Sequence, residues 1–427
     1  MPAPDTVIIL AAGQGTRMKT GWAKVMAPLC GRPLIAWVVD QALALNPKRV
    51  LVVVGYKADE VRKAIAGLDA RGRIATVVQS EQRGTGHAVQ CCLPELGPNP
   101  GVVVLLYGDM PLLEPASLEH LCAARETTGG GAALLTSQPG DPRGFGRIVR
   151  DQGGDVQRIV EERDANADVK SIREVNLGVY AFDGRALVSM LPRLKNDNAQ
   201  REFDVTDVIE MFVREQRRVV AVDVADERET IGVNTLAHLS EARVALQQRL
   251  LEKHMAAGVF IEDPATTYID WGVEIGAATR VLPCTVIRSG VKIGAHCEVG
   301  PFTHLRSGTV LDDGAEVGNF VEVKNSRLGS HSKAKHLSYL GDGQVGSRVN
   351  IGAGTIFANY DGVAKHTTTV ADKSFVGSGS VLVAPCTLGE GAITGAGAVV
   401  TRNSQVPAGA TWVGVPAKPI HKRAGAK

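Results

Sequence analysis

The chain has 427 residues, enough for two or three domains, and its 44% hydrophobic content supplies the apolar surface for packed cores. The formal net charge is only +2, from 47 Lys and Arg against 45 Asp and Glu residues, which argues against a nucleic-acid-binding surface or a polybasic membrane tether. No apolar segment approaches the ~18 residues of a membrane-spanning helix, so no membrane span is predicted.

The cysteines predict reduced thiols. They include no CxxC pair and their number is odd, and the apolar run near residue 7 is short and lacks the basic flank of an export signal. We therefore expect a cytoplasmic location. The seven cysteines are Cys30, Cys91, Cys92, Cys122, Cys284, Cys297 and Cys386.

Residues 5–235 alternate short apolar runs with helix-like segments. Unbroken β-rich runs of this length suit strands that are buried on both faces of a sheet. The alternation predicts an α/β domain over residues 1–235, in which helices cover a mostly parallel sheet. The runs include Val7–Leu10, Val50–Val54, Ile74–Val78 and Val102–Leu106, and the helical patterns include Leu34–Leu45 and Ser117–Glu126.

A connecting helix is predicted over residues 236–257. This segment contains no Gly or Pro, and its leucines recur on one helical stripe before Gly258. The helix separates parts of different composition, because 23 glycines fall in residues 1–250 and 25 fall in the shorter remainder. The stripe consists of Leu236, Leu239, Leu246 and Leu250.

A six-residue period follows this helix. Ten aliphatic residues occur at intervals of six without a gap. Such a period is the signature of a parallel β-helix, in which three hexads form one triangular coil and the aliphatics point inward. We therefore predict a β-helix over residues 258–427, with a short C-terminal tail. The ten residues are Ile269, Ile275, Val281, Ile287, Ile293, Val299, Leu305, Leu311, Val317 and Val323.

The six-residue period slips twice, and each slip predicts a loop that leaves the coil. The two segments are 329–344 and 358–369, and they carry His, Lys, Tyr, Asn and Asp side chains. A solvated insertion and a functional loop are equally compatible with this polar composition.

A glycine-rich turn follows the first predicted strand, in the segment LAAGQGTRM at 10–18. Such a turn lets backbone N–H groups approach phosphate oxygens, and Arg17 and Lys24 add two cations that suit a triphosphate. The turn matches neither the dinucleotide fingerprint nor the Walker motif. Asp109 follows the run Val102–Leu106, where open α/β sheets bind ligands, although the same carboxylate could cap the next helix.

Nine motifs in the first half resemble those of sugar-1-phosphate nucleotidyltransferases, in the same order. GTGHA and LYGDMPL are most similar to uridyltransferases that act on N-acetylglucosamine 1-phosphate. The resemblance implies an α/β Rossmann-like nucleotidyltransferase (pyrophosphorylase) domain. The motifs are LAAGQGTRM, the lysine of WAKVMAPL, EQRGTGHA, LYGDMPL, GFGRIV, IVEERDA, EVNLGVY, EFDVTDVI and GVNTL.

The same resemblance implies the ligands of this domain. Asp109 and Asn234 would hold Mg²⁺, since both are hard oxygen donors and substrate phosphates and water would complete an octahedron. Arg17 and Lys24 would be catalytic cations that stabilise charge on the triphosphate. The other implied contacts to UTP or UDP-N-acetylglucosamine are Leu10, Ala11, Ala12, Gly13, Tyr107 and Gly108 beside the nucleotide, Gln79, Gly84 and Thr85 beside uracil, and Gly146, Glu161 and Asn176 around the sugar.

The implied reaction needs no protein base. A sugar 1-phosphate is already an anionic nucleophile at neutral pH, so it attacks the α-phosphorus of UTP directly and pyrophosphate leaves. Positioning and charge neutralisation would therefore supply most of the catalysis.

Five motifs in the second half resemble the acetyltransferase half of the family of bifunctional N-acetylglucosamine-1-phosphate uridyltransferases/glucosamine-1-phosphate acetyltransferases. The resemblance to this family thus covers about residues 5–415. It implies a left-handed parallel β-helix that transfers acetyl from acetyl-CoA to glucosamine 1-phosphate, and a homotrimer with acyl sites between subunits. The motifs are HLRSG, EVKNSRLG, KAKHLSYLGD, VNIGAGTIFANYDG and FVGSGSVLVAP.

His336 is the implied general base of acetyl transfer, because an ammonium cannot attack a thioester until a group with a pKa near ~6.5 removes its proton. Most lone histidines on such a surface have no catalytic role, and only the setting in KAKHLSYLGD distinguishes His336. Gly414 departs from the family pattern, which has a basic residue facing the CoA phosphate. The implied sugar-phosphate contacts are Arg306, Lys324, Tyr339 and Asn350, and the implied acetyl-CoA contacts are Ala353, Asn359, Tyr360, Ser378 and Ala396.

Two alternative hypotheses remain. The chain could be a monofunctional sugar-1-phosphate nucleotidyltransferase whose β-helix is structural or regulatory, or a non-enzymatic scaffold with degenerate sites. The intact GTGHA and KAKHLSYLGD segments count against the first, and the presence of Asp109 and Asn234 counts against the second. Under the main hypothesis the partners are small molecules and not nucleic acids, namely glucosamine 1-phosphate, N-acetylglucosamine 1-phosphate, UTP and acetyl-CoA.

Overall fold

The computed structural model describes residues 3–224 and 226–420. The chain divides into two compact units, Met1–Ala245 and Leu246–Lys427. The division falls within a helix, Leu236–Ala256, in the segment where a connecting helix is predicted. The end of the predicted C-terminal tail, 421–427, lies outside the described residues.

The first unit is built on a mixed, mostly parallel sheet. Its central strand pairs in parallel with the strands on both sides, and one long strand pairs antiparallel with two neighbours. The strands are β1 (Thr6–Ala11), β2 (Pro28–Leu29), β3 (Arg32–Pro33), β4 (Arg49–Val54), β5 (Ile74–Val78), β6 (Val102–Tyr107), β7 (Ala132–Ser137), β8 (Gly146–Arg150), β9 (Val156–Val160), β10 (Val175–Asp183) and β11 (Val219–Asp223).

The strand order among the described residues is β11-β7-β10-β6-β1-β4-β5, with β8 and β9 attached to β10, while β2 and β3 form a separate hairpin. The four predicted apolar runs lie in β1, β4, β5 and β6, so this part of the prediction is confirmed. β1 and β6 are adjacent and parallel, with Leu10 opposite Tyr107. Their carboxyl ends therefore meet at one edge of the sheet, which is where such sheets bind ligands.

Helices cover both faces of this sheet. Two separate apolar clusters of buried side chains lie on its two sides. The predicted helical patterns correspond to α1 and α5 and are confirmed. The helices are α1 (Leu34–Ala44), α2 (Ala58–Ile65), α3 (Thr85–Gln90), α4 (Leu93–Leu96), α5 (Pro115–Glu126), α6 (Ala167–Lys170), α7 (Gly184–Met190), α8 (Asp207–Arg214) and α9 (Leu236–Ala256), with 3₁₀ turns at Thr16–Met18, Lys24–Met26, Leu191–Arg193 and Glu227–Thr230.

The second unit is a left-handed parallel β-helix, as the six-residue period predicts. Its short strands stack into three sheets, which form the three faces of the coil. The first face contains Phe260–Ile261, Arg280–Val281, Glu298–Val299, Glu316–Asn319, Lys333–His336, Asn350–Ile351, Phe375–Val376, Ile393–Thr394 and Thr411–Val413, closed by antiparallel Lys418–Pro419. The second contains Tyr268–Ile269, Val286–Ile287, His304–Leu305, Glu322–Lys324, Tyr339–Gly341, Ile356–Ala358, Val381–Val383 and Val399–Val400. The third contains Glu274–Ile275, Lys292–Ile293, Val310–Leu311, Arg327–Leu328, Gly343–Val345, Thr368–Val370, Cys386–Leu388 and Gln405–Val406.

The inward-pointing aliphatics form the core of this coil. Nine of the ten residues that define the period are buried, and Ile275 packs partly buried against them. At about 25 cal/mol per Å² of apolar surface removed from water, this continuous core is what stabilises strands of two or three residues.

The predicted loop at 329–344 is wrong. This segment stays in the coil and contributes strands to all three faces. Val310 pairs with Arg327, 17 residues later, where the preceding step from Lys292 to Val310 is 18. The slip is therefore a one-residue shortening of the coil.

The second slip does produce a loop. Asn350 pairs with Phe375, 25 residues later, so extra residues are inserted between two successive coils. The strands Ile356–Ala358 and Thr368–Val370 flank this insertion. The loop predicted over 358–369 is therefore confirmed, with its excursion at 359–367.

None of the helices within residues 3–224 and 226–420 combines the length and apolar character needed to cross a membrane. Among the cysteine thiols, burial raises the pKa of Cys122 and of Cys386 to about 11, and the pKa of Cys92 to about 12. These three side chains therefore remain protonated thiols at neutral pH.

Candidate active sites

The glycine-rich turn after β1 opens into a cavity of about 240 Å³. Ten of the predicted nucleotide-site residues line this first cavity, and β1, the start of α3 and the end of β6 supply most of them. Parallel strands bring these segments together because their carboxyl ends share one edge. The ten residues are Leu10, Ala11, Ala12, Gly13, Lys24, Gln79, Gly84, Thr85, Tyr107 and Asp109.

Gly84 makes possible the close approach of two backbones at the floor of the first cavity. Its φ is +105°, and a Cβ at this position would lie 2.5 Å from the carbonyl oxygen of Phe203. That same oxygen accepts a hydrogen bond of 2.7 Å from the N–H of Gly86. The buried Gln79 amide donates to the Gly84 carbonyl over 3.1 Å, which fixes the Gln79 side chain beside the cavity.

A second cavity, of about 320 Å³, adjoins the first and shares Lys24, Tyr107 and Asp109 with it. The predicted sugar and metal residues gather here on the ends of β8, β9 and β10 and after the 3₁₀ turn Glu227–Thr230. A sugar nucleotide could therefore lie across the border of the two cavities. The predicted residues in the second cavity are Arg17, Lys24, Tyr107, Asp109, Gly146, Glu161, Asn176 and Asn234.

Gly178 shapes the wall of the second cavity. Its φ is +77°, at a bulge of β10, and a Cβ there would lie 2.7 Å from the ring of Tyr107. Asn176 is buried beside it, donating to the Tyr180 hydroxyl over 2.7 Å and accepting from the Gly178 N–H over 3.1 Å. Burial raises the pKa of the Tyr107 phenol well above its usual value, so this ring stays neutral.

Two cations and two oxygen ligands meet at the border of the two cavities. The Lys24 ammonium pairs with the Asp109 carboxylate and donates to Asn234 Oδ1 over 3.1 Å. The Arg17 guanidinium donates to the same Asn234 oxygen over 2.8 Å. The backbone also joins these segments, since Val233 N–H donates to the Asp109 carbonyl over 2.8 Å.

The residues at this border fit a magnesium ion. One ammonium nitrogen contacts oxygens of both Asp109 and Asn234, so a single positive charge can be reached by both ligands at once. Both are hard oxygen donors of the kind that Mg²⁺ prefers. Within the described residues no group of three or more His, Cys, Asp or Glu residues could hold a metal, so the remaining ligands would come from substrate phosphates and water.

Gly108 differs from the other predicted residues because it lines neither cavity. Its N–H donates to the Leu10 carbonyl over 2.9 Å, and a Cβ there would lie 3.0 Å from the same oxygen. Gly108 therefore allows the end of β6 to pack against β1, next to Tyr107 and Asp109.

Sequence reasoning missed several residues of these cavities. Gln82 lines the first cavity and donates to the Ala12 carbonyl over 2.8 Å, and Glu202 lines the same cavity. Gln82 lies within the EQRGTGHA motif and Glu202 begins EFDVTDVI, so the motifs contained the signal although the individual residues were not singled out. The other unpredicted residues are Val25 and Ala88 in the first cavity and Met110, Gly144, Phe145, Leu177, Gly178, Thr230 and Gly232 in the second.

A group of carboxyls lies behind the second cavity. Burial, together with the charges of Glu161 and Asp207, raises the pKa of Asp204 to about 7. Burial and the charges of Glu210 and Asp197 raise the pKa of Asp207 to about 6. Burial, followed by neighbouring negative charges, also raises the pKa of Glu161, which lines the cavity.

The predicted acetyl-CoA residues of the β-helix line up on one corner of successive coils. Lys333, Asn350, Phe375 and Ile393 pair in register on the first face, and Ile393 pairs with Thr411. The residues three positions after each of them form a column, which we call the corner column: His336, Ala353, Ser378, Ala396 and Gly414.

Backbone hydrogen bonds connect this corner column. The N–H of Gly379 donates to the Ala353 carbonyl over 2.7 Å, and the N–H of Gly397 donates to the Ser378 carbonyl over 2.8 Å. Gly414 has a φ of +90° and little around its Cβ position, so the corner is open there. The five residues therefore offer an extended groove wall.

His336 lies exposed at one end of the corner column. The imidazole has no hydrogen-bond partner among the residues that the structure describes, whereas the His336 carbonyl accepts from the Ser338 hydroxyl over 2.8 Å. The ring is thus free to contact a substrate, on a backbone held by the coil. Asn350 is half-buried on the next coil, opposite Lys333.

Three cations gather on the second face. Arg306 and Lys324 occupy matching positions on successive coils, since Leu305 pairs with Val323. The adjoining Lys365 lowers the pKa of the Lys324 ammonium, and the charge of Arg306 adds to this effect. Lys365 was not predicted, although it lies in the inserted loop that the second slip of the period revealed. This group suits a phosphate dianion.

Asn359 and Tyr339 lie beside these cations. The buried Asn359 amide donates to the Asp342 carboxylate, which also accepts from Asn325 over 2.6 Å. Burial opposes ionisation of Asp342, but these two hydrogen bonds and the nearby lysines hold its pKa below the usual value. Gly341 leaves room for both side chains, because a Cβ there would lie 2.6 Å from the Tyr339 hydroxyl and 2.7 Å from Asn359 Nδ2.

Comparison with known proteins identifies the class of the first unit. Residues 7–206 match the family model of the MobA-like NTP transferase domain. A solved structure of a UDP-glucose pyrophosphorylase complexed with UDP-glucose aligns with 58% of this chain and 99% of that chain, at 17% identity and a TM-score of 0.48.

Relatives over nearly the whole length identify the family. The chain is 41% identical to the bifunctional protein GlmU of Brevibacillus brevis, over 94% of this chain and 92% of that protein. It is 43% identical to the bifunctional protein GlmU of Pelobacter propionicus, over 94% of each. The chain belongs to the GlmU family of bifunctional enzymes, and it is a uridylyltransferase and an acetyltransferase.

Proposed function

We propose that the first unit transfers UMP from UTP to N-acetylglucosamine 1-phosphate at the border of the two cavities. The observation that carries this proposal is the meeting of Arg17, Lys24, Asp109 and Asn234 between a cavity lined by the glycine-rich turn and one lined by Glu161 and Asn176. With the nucleotide in the first cavity and the sugar in the second, the reacting phosphates would lie between them.

The chemistry at this border rests on charge. Arg17 and Lys24 would neutralise the triphosphate as pyrophosphate leaves, and the anionic sugar phosphate needs no base to attack the α-phosphorus. Asp109 and Asn234 would hold Mg²⁺, which when bound stabilises charge on the phosphate oxygens. The neutral wall formed by Tyr107 and Gly178 would keep water from the reacting atoms.

We propose that the β-helix transfers acetyl from acetyl-CoA to the 2-amine of glucosamine 1-phosphate. His336 would remove a proton from the substrate ammonium, so that the amine attacks the thioester carbon and CoA thiolate leaves. Arg306 and Lys324 would hold the sugar phosphate, and Tyr339 and Asn350 would contact the sugar phosphate from the neighbouring coils. The exposed imidazole at the end of the corner column supports this assignment.

The corner column would hold acetyl-CoA. Ala353, Ser378 and Ala396 would line the cofactor groove, with Ser378 and its neighbouring backbone placed to stabilise the developing oxyanion. Asn359 and Tyr360 would orient the thioester and the amine. Gly414 contributes no cation to this groove, so we expect CoA to rely on other contacts for its phosphate.

We also propose a cytoplasmic homotrimer assembled through the β-helix. An exposed apolar ladder supports this assembly: the rings of Phe302 and Phe320 stack with their centroids 5.2 Å apart, and exposed Leu337 follows on the next coil. An apolar stripe of this kind is typical of an interface. Light scattering after size-exclusion chromatography would test the trimer, and a mass of one chain would contradict it.

One pair of assays tests the two activities on a single preparation. Pyrophosphate release from UTP and N-acetylglucosamine 1-phosphate reports the first unit, and thiol release from acetyl-CoA and glucosamine 1-phosphate reports the second. Both signals are expected. Pyrophosphate release without thiol release would instead support a nucleotidyltransferase with a structural β-helix, and loss of both would support a scaffold.

A further inference from the structure

The inserted loop of the β-helix folds as a small hairpin, which we call the 359–366 hairpin. Tyr360 and Lys365 pair across it in antiparallel fashion, and the His366 N–H donates to the Asn359 carbonyl over 2.8 Å. Its two arms thereby carry Asn359 and Tyr360 on one side and Lys365 on the other. The hairpin is therefore the element that brings Lys365 to Lys324.

A single carboxylate organises this hairpin. Asp361 Oδ1 accepts the backbone N–H groups of Val363 over 2.9 Å and Ala364 over 2.7 Å, which closes the turn. Asp361 Oδ2 lies 2.7 Å from His366 Nε2 and accepts from the Arg402 guanidinium over 3.0 Å. Asp361 thus joins the tip of the hairpin, its returning arm and a side chain from elsewhere in the coil.

Arg402 is the member of this group that does not belong to the hairpin. Ala358 pairs with Val383, and the following coil, at Val399–Val400, leads directly to Arg402. Besides Asp361, the Arg402 guanidinium contacts His366 Nε2 over 3.0 Å. Arg402 therefore fastens the hairpin to the rigid stack of strands at two points.

Such a clamp is needed because the hairpin carries a repulsive contact. Lys365 and Lys324 are both cations, and like charges at short range push the hairpin away from the second face. A phosphate dianion would turn this repulsion into attraction, but only if both ammonium groups are in place before it arrives. An arginine fork on a carboxylate supplies the directional contact that can hold them.

We propose that Arg402 is a positioning residue for acetyl transfer, which clamps the 359–366 hairpin through Asp361 and His366 so that Lys365 stands beside Lys324 as a preformed site for the phosphate of the sugar substrate. This inference rests on the proposed acetyltransferase reaction. Arg402 contacts neither substrate nor cofactor in it, so its effect falls on binding of the sugar phosphate.

The test compares steady-state acetyl transfer in Arg402→Ala and wild type. We expect the KM for glucosamine 1-phosphate to rise about tenfold while kcat stays within about twofold, because the clamp acts on ground-state binding. Arg402→Lys should recover part of the loss, since one ammonium can reach Asp361 but cannot form the fork. Pyrophosphate release by the first unit should be unchanged in both variants.

Lys373→Ala is the matched control, because Lys373 forms an exposed ion pair of 2.6 Å with Glu390 on the same β-helix. It should leave both KM values unchanged. Asp361→Asn should reproduce the KM effect, and the double variant with Arg402→Ala should be no worse than Asp361→Asn alone, because both changes break the same clamp.

Hydrogen exchange separates a clamp from general destabilisation. Amides of the 359–366 hairpin should exchange faster in Arg402→Ala, while those of the flanking strands keep their protection. An unchanged KM in Arg402→Ala, additive effects in the double variant, or faster exchange throughout the β-helix would each overturn the inference. Absence of thiol release in the wild type would instead refute the proposed reaction itself.

Discussion

Arg17 and Asn234 are 217 residues apart in the chain, yet the guanidinium of one donates to the amide oxygen of the other over 2.8 Å. The ammonium of Lys24 donates to the same oxygen over 3.1 Å and also pairs with Asp109. An amide oxygen that serves two cations is held in a strongly positive setting, which suits a border where phosphates and a metal ion meet. This relationship supports the assignment of the uridylyltransferase site.

Removal of the Asp109 carboxylate should abolish uridylyl transfer. Asp109→Ala leaves Lys24 without its carboxylate partner and takes away the charged one of the two oxygen ligands, so we expect a fall in kcat of at least about 10³-fold. Pyrophosphate release measures it. Thiol release by the β-helix of the same variant is the control and should be unaffected, and substantial pyrophosphate release would contradict the assigned role.

Removal of the His336 imidazole should eliminate acetyl transfer alone. In His336→Ala no group remains to take the proton from the substrate ammonium, and general base catalysis typically contributes ~10²–10⁴-fold. Because His336 is exposed and its ring has no partner among the described residues, the β-helix should keep its thermal stability. His331→Ala, a change at another exposed histidine of the same coil, is the matched control. Equal losses in both variants would argue against His336 as the base.

A methyl group at Gly178 should damage the first unit by steric clash. The added Cβ would lie 2.7 Å from the buried Tyr107 ring, and such overpacking costs about 1–3 kcal/mol beyond backbone strain. Gly154→Ala is the matched control, because its φ of +87° is similar but nothing lies within 4 Å of its Cβ position. Chemical denaturation should show Gly178→Ala as the less stable variant, with reduced pyrophosphate release. Equal stabilities would contradict the clash.

The carboxyl group of Asp204 should make the first unit less stable as pH rises. Burial raises its pKa from an ordinary 3.8 to about 7 in the folded chain, so the folded state binds more protons than the unfolded state between these values. Unfolding free energy from this group therefore falls as pH increases from about 4 to 7. Asp204→Asn removes the effect, and its Tm relative to wild type should rise over that range.

Differential scanning calorimetry from pH 4.5 to pH 8 would measure this trend. Asp168→Asn, at an exposed carboxylate on α6, controls for the loss of one surface charge. A Tm difference for Asp204→Asn that stays constant or declines across the range would contradict the buried-carboxyl explanation.

The β-helix was predictable because its signal is local. Each aliphatic of the six-residue period points inward whatever the neighbouring coils do, so the pattern survives in the sequence. The error at 329–344 has the same origin. Ala334 and Leu340 continue the inward series six and twelve residues after Leu328, but a small alanine carries a weak signal and the shortened coil resembled a loop.

The members of the candidate sites were largely predictable from motifs, whereas their contacts were not. Lys24, Asp109 and Asn234 were singled out from separate motifs, but only the structure shows one ammonium contacting both oxygens. Lys365 and Arg402 carried no motif of their own. Their importance depends on which coil stacks on which, and the insertion at 359–367 changes that step from 18 residues to 25.

The sequence by itself determined the two architectures, the order of the motifs and the residue types that phosphoryl and acetyl transfer require. Hydrophobic period and motif are properties of neighbouring residues, so they can be read without a fold. The tertiary structure alone decided that Arg17 and Lys24 share one amide oxygen and that Arg402 clamps the 359–366 hairpin. Such contacts depend on strand register, which long-range packing sets and no local pattern records.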